Sequence, residues 1–235
     1  RPMVRIVRGL LYGALVAIFG LTAQPVAAVE TSLLQAGPMV GHVSSTGATI
    51  WVRTQFQRTP VGEAFQEGRH YKPTNVQHLG AGFWNLEFGG LQPDTLTEVK
   101  LKIVGKGVEE IAPSAQFRTA PRASQSGTVR IAFGSCLKVS EFAGAPVMLA
   151  LAQERPDMML YVGDNSYFIV GDGGSRHFST TGPWGDWSTY EGMIARHLVG
   201  RMHPDVAAAL RVIPSYAIWD DHDYGPNNAD HTFGL

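Results

Sequence analysis

Met158-Met159-Leu160-Tyr161-Val162-Gly163-Asp164-Asn165-Ser166-Tyr167 is the stretch that decides the fold. Five apolar residues in a row, halted by glycine, predict a strand covered on both faces, as in a parallel sheet. A carboxylate follows the glycine directly, and a phenol comes three residues later. Upstream, 146–154 carries a helical pattern with Pro146 at its start and Pro156 just past its end. Before that, Val129-Arg130-Ile131-Ala132-Phe133 reads as a strand running into Gly134-Ser135-Cys136. Downstream, helical patterns at 189–201 and 204–210 lead to Ser215-Tyr216-Ala217-Ile218-Trp219, a second buried strand that ends in Asp220-Asp221-His222-Asp223. Strands alternating with helices predict an α/β layer.

Each of these three strands runs out into ligand-type residues, and in α/β sheets the carboxyl ends of the strands converge on one crevice. Hydrolysis of a phosphate ester needs a nucleophile at neutral pH and neutralisation of the phosphoryl oxygens. Two metal ions roughly 3.5–4 Å apart supply both. Asp164 is the candidate bridging carboxylate. Tyr167 reaches the same ion as a phenolate, which favours a hard trivalent metal such as ferric iron. Cys136, the one cysteine of the chain, is a core hydrophobe, a reactive thiol or a thiolate ligand. Its place after a strand favours the ligand, and a shared ion requires its sulfur within about 7 Å of the Asp164 carboxylate. Asp221 is placed for the second metal, and His222 for donating a hydrogen bond or proton to the phosphate or leaving group. Asp220 is suited to orienting His222 or a backbone amide. Three acids and a histidine in four residues repel one another unless a cation intervenes. Asp172, Arg176 and His177 read as solvated loop residues, and His197 and His203 as surface or satisfied core.

Residues 30–120 look different. The runs 48–54, 83–88, 98–104 and 115–119 alternate apolar with polar residues between turn signals, which predicts a small all-β sandwich. The segment 121–127, Pro-Arg-Ala-Ser-Gln-Ser-Gly, reads as a linker. Residues 128–235 then form the α/β part.

At the N-terminus Arg1, Arg5 and Arg8 precede an apolar run over 9–23, and Val26-Ala27-Ala28 offers a cleavage point. Residues 1–29 are therefore expected to be a secretory signal peptide, with an uncleaved anchor as the other reading. Either predicts export to the periplasm or beyond the cell, with no stable membrane span once the signal is removed. With 19 Lys+Arg against 20 Asp+Glu, no basic excess points to a nucleic-acid partner.

The motifs Gly134-Ser135-Cys136, Gly163-Asp164-Asn165-Ser166-Tyr167 and Trp219-Asp220-Asp221-His222 resemble those of alkaline phosphatase D (PhoD-like) enzymes, within the calcineurin-like metallophosphoesterase superfamily. The middle one is similar to the purple acid phosphatase version, with its iron-binding tyrosine. Residues Gly37-Pro38-Met39-Val40-Gly41, Leu91-Gln92-Pro93-Asp94-Thr95 and Phe117-Arg118-Thr119-Ala120-Pro121 resemble the fibronectin-III-like domain that precedes the catalytic domain in that family. A Tyr usually follows the Leu-x-Pro-x-Thr corner two residues on; Thr97 stands there instead. The resemblance implies phosphomonoester or phosphodiester hydrolysis of a small-molecule or lipid substrate. It implies ferric iron at Cys136, Asp164 and Tyr167, and calcium near Asp221 with Asp164 shared. The family draws further ligands from a later histidine motif, so the chain is expected to be an N-terminal part whose catalytic domain is incomplete. Two rivals stay open: a phospholipase- or nuclease-type phosphodiesterase, and an exported binding protein with a vestigial metal site.

Overall fold

The computed structural model describes residues 32–105, 107–139, 145–167, 189–225, 228 and 230. The expected signal segment 1–29 and the loop residues Asp172, Arg176 and His177 lie outside the described residues.

Nine strands make two antiparallel sheets among the described residues. They are β1 (Leu34–Val43), β2 (Gly47–Thr54), β3 (Pro60–Gln66), β4 (Arg69–Tyr71), β5 (Asn75–Gly80), β6 (Phe83–Gly89), β7 (Leu96–Val104), β8 (Glu109–Ile111) and β9 (Ala115–Arg118). One sheet has the order β1-β2-β6-β5; the other runs β4-β3-β7-β8, with β9 beside β8 on the same edge of β7. Side chains alternate across each strand, so Ile50 and Val52 of β2, Leu86 and Phe88 of β6, and Val99, Leu101 and Ile103 of β7 fill one core. Each such residue, fully buried, contributes roughly 1.5–3 kcal/mol of apolar transfer.

Thr97 occupies the corner where a tyrosine was expected, and a buried glutamine does the phenol's work. Gln66 donates from Nε2 to Thr97 Oγ1 at 2.7 Å and to the Gln92 carbonyl at 3.3 Å. Its Oε1 accepts from the Gln92 amide at 2.7 Å.

Beyond residues 121–127, which are exposed and without regular structure, comes a parallel sheet. It is built from β10 (Ile131–Gly134), β11 (Met158–Val162) and β12 (Ser215–Ile218), joined through α1 (Pro146–Glu154), α2 (Tyr190–Met202) and α3 (Pro204–Leu210). Thr189 caps α2 by accepting from the Gly192 amide at 3.0 Å. Ala132, Met159 and Tyr161 pack with Met148 of α1 and Val206, Ala209 and Leu210 of α3 in a second core.

Among the described residues, the expected cover on both faces of these strands is present on one face only. Val162 is 45% exposed, Ile218 62% and Phe133 76%, and Trp219 beyond the last strand is 76% exposed. Register explains the split. Phe133 pairs with Leu160, and Val162 with Ile218, on the face away from the second core. The three described helices do not cover that face, so the apolar run records a burial requirement that the described residues leave unmet.

Candidate metal centre

The site forms where β10, β11 and β12 end side by side. The β10–β11 pairing continues past both strands: the Cys136 amide donates to the Gly163 carbonyl at 3.2 Å and the Leu137 amide to the Asp164 carbonyl at 3.1 Å. Cys136 and Asp164 both adopt left-handed backbone, with φ of 59° and 53°. For non-glycine residues this conformation costs on the order of 1–3 kcal/mol, and such outliers cluster at functional sites.

Two donors converge on one oxygen of Asp164. The Cys136 thiol lies 3.5 Å from Asp164 Oδ2, inside the separation a shared ion allows, and the Tyr167 hydroxyl donates to the same oxygen at 2.9 Å. Cys136 is exposed, which removes the core-hydrophobe reading. Burial first, then the bonds to Cys136 and Asp164, push the Tyr167 phenol well above its ordinary pKa. Oδ1 of Asp164 is different: it is buried and meets no hydrogen-bond donor among the described residues.

The end of β12 is shaped by its own acids. Asp220 closes a capping box over a 3₁₀ turn at Asp221–Asp223, its Oδ1 accepting from the Asp221 amide at 2.9 Å. Orientation of a backbone amide is thus what Asp220 does. Asp221 Oδ1 accepts from the His222 amide at 2.9 Å, and Oδ2 from the Asn228 amide. His222 is buried, stacks on Tyr167 with ring centroids 4.6 Å apart, and leaves Nδ1 without a partner among the described residues.

Asp164, Asp221 and His222 each present a ligand atom, all within 4.8 Å of one another. Cys136 and Tyr167 join this group through Asp164 rather than as members of it. The donor set fits a cation: two carboxylates and an imidazole crowd together while Asp164 Oδ1 and His222 Nδ1, both buried, lack partners among the described residues. Sequence reasoning treated His222 as a proton donor; its ring also stands at ligand distance.

Three residues supporting the turn were not singled out for it. Asn165 donates from Nδ2 to the Ile218 carbonyl at 2.7 Å and to Asp223 Oδ2 at 3.1 Å. Asp223 Oδ2 also accepts from the Asp220 amide at 3.0 Å. His197 of α2 donates from Nε2 to the Asp223 carbonyl at 2.9 Å, while Arg201 donates to its Nδ1 at 3.2 Å. His197 is therefore a satisfied core histidine, as its helical setting suggested. No spacing in the sequence announces these bonds, because they join segments 26 and 58 residues apart.

No family model matches the sequence, and none of the curated proteins does. Among solved structures, that of PhoD matches 80% of this chain and 39% of its own, at a TM-score of 0.61 and 22% identity. A purple acid phosphatase isolated from yellow lupin (Lupinus luteus) seeds matches 78% of this chain and 34% of its own, at a TM-score of 0.54 and 13% identity. The chain thus spans well under half the length of either. At such identities the likeness is one of fold, shared with PhoD and the lupin phosphatase over the part of each that this chain covers.

Proposed function

We propose that this chain carries part of the active site of an exported, metal-dependent phosphoesterase that hydrolyses phosphate mono- or diesters. One observation carries the reading: Asp164, Asp221 and His222 each offer a ligand atom within 4.8 Å of one another, in a place where buried Asp164 Oδ1 and His222 Nδ1 have no partner among the described residues. Exported, sandwich-led and catalytic parts at 30–120 and 128–235 belong to the same proposal.

In this reading Cys136, Asp164 and Tyr167 would hold ferric iron, and Asp164 and Asp221 would hold calcium. When bound, such ions lower the pKa of a coordinated water and neutralise charge on the phosphoryl oxygens. The protein's own part is positional. Tyr167, whose hydroxyl donates to Asp164 Oδ2, would release that proton to solvent in order to serve as a phenolate ligand. Asp220 and Asp223 hold the turn that presents Asp221. His222, stacked on Tyr167, donates a hydrogen bond or proton to the phosphate or the leaving oxygen.

The test is the metal content and visible spectrum of the purified protein, with rates on a chromogenic monoester and diester. Bound iron with a phenolate-to-iron band that vanishes in Tyr167→Phe is the expected result. A protein that takes up no metal, or whose spectrum is indifferent to Tyr167→Phe, would instead be a binding protein with a vestigial site. The ratio of the two rates separates a phosphomonoesterase from a phospholipase- or nuclease-type diesterase.

A further inference from the structure

We infer that Asn165 is a positioning residue, whose side-chain amide pins the loop after β12 to the loop after β11 and so sets the gap between Asp164 and the Asp221–His222 pair. The inference rests on the metal-centre reading and adds to it the device that shapes the centre.

Asn165 follows Asp164 in the chain, yet its amide serves the other loop. Both hydrogens of Nδ2 are used, one on the carbonyl of Ile218, the last residue of β12, and one on Asp223 Oδ2. Both partners can only accept, so the amide has a single workable orientation. The oxygen it grips also accepts from the Asp220 amide. Asn165 thereby holds the chain just before the turn and the residue at its end, with Asp221 and His222 between.

Asp223 is 1% exposed, and a polar side chain at that depth needs hydrogen-bond partners. Asn165 supplies one of them, and His197 secures the same residue by its carbonyl. The grip opposes a real force. Asp164 and Asp221 bring ligand atoms within 4.8 Å of each other, and repulsion between the two carboxylates pushes the two loops apart. Asn165 acts on the cluster through Asp223 and Ile218.

The experiment is a cobalt(II) titration of the whole chain followed by visible absorption, paired with thermal unfolding in the absence of metal. Asn165→Ala and Asn165→Asp, the second of equal size but unable to donate, are expected to weaken cobalt binding about 10–100-fold. Asp223→Asn keeps an acceptor oxygen and is expected to bind much as the parent chain does. The losses of Asn165→Ala and Asp223→Ala should combine to less than their sum, since both break the Asn165–Asp223 bond. Cobalt affinity unchanged in Asn165→Ala overturns the inference, whatever happens to the unfolding temperature. If Asn165→Ala does not fold, Asp223→Ala reads the same bond from its other end, and parent-like affinity there overturns the inference equally. A parent chain that ignores cobalt, or binds it equally after Asp164→Asn, overturns the metal centre itself and the inference with it.

Discussion

Gly163 passes so close to Asp220 that a Cβ built on it would lie 2.8 Å from the Asp220 Cβ. The contact joins the ends of β11 and β12 at their tightest point, and Gly163 also holds a φ of 101° that side-chain-bearing residues rarely adopt. Gly163→Ala is therefore expected to cost about 1–3 kcal/mol in backbone strain alone. It should also displace Asp220 from its place over the turn. A urea-unfolding midpoint equal to that of the parent chain would contradict this.

Asp164 illustrates a site that trades stability for chemistry. Coulomb's law at about 5 Å, between the dielectric of water and that of a protein surface, gives a repulsion with Asp221 of roughly 1–3 kcal/mol. Asp164→Asn keeps an acceptor for Tyr167 while removing a charge. The metal-free variant should melt about 2–4 °C higher for each kcal/mol relieved, and lose the stabilisation that added metal gives the parent chain. Calorimetry with and without metal measures both; a lower melting point in the metal-free variant sinks the argument.

In the sandwich, Gln66 replaces a missing phenol with three hydrogen bonds. Gln66→Leu has similar volume but strands the Gln92 amide, at about 1–3 kcal/mol, and leaves the buried Thr97 hydroxyl with its bond to the Thr95 carbonyl. Denaturant unfolding should show a loss of about that size, whereas exposed Gln77→Leu on β5 should change little.

The His197 pair predicts acid sensitivity. Burial first, then Arg201, lowers its pKa below that of a free imidazole, with Arg196 adding to the effect and the Asp223 carbonyl and charge opposing it. Unfolding restores the ordinary value near 6.5. Below that pH the unfolded chain takes up a proton that the folded chain refuses, so stability falls on acidification and is complete above it. Between pH 7.5 and 5 the parent chain should lose more stability than His197→Gln, by up to about 1.4 kcal/mol per pH unit below 6.5. Parallel pH profiles for the two would refute the assignment.

The sequence was legible wherever local chemistry decides structure. The strands β2, β6, β7 and β11 and the helices α1 and α3 follow from alternation, apolar runs and proline placement. β3 escaped notice for a packing reason: a Cβ at its inward-facing Gly62 would come within 2.6 Å of Leu101 and 2.8 Å of Leu86. The strand must be small where strands usually advertise themselves with branched residues. β5 has an exposed edge and leaves no burial pattern to read. At the site, Cys136, Asp164 and Tyr167 were visible because they follow strands directly. Asn165 and His197 were not, since their meaning lies in long-range bonds to Asp223.

The paired left-handed residues Cys136 and Asp164 have one more consequence. Their awkward backbone is held by amide bonds across neighbouring strand tips. A cation entering such a cradle finds the sulfur and the carboxylate already facing it, so little of its binding energy goes into ordering the chain. Uptake should then run at the speed of ligand exchange and proton release, rather than waiting for a loop to fold.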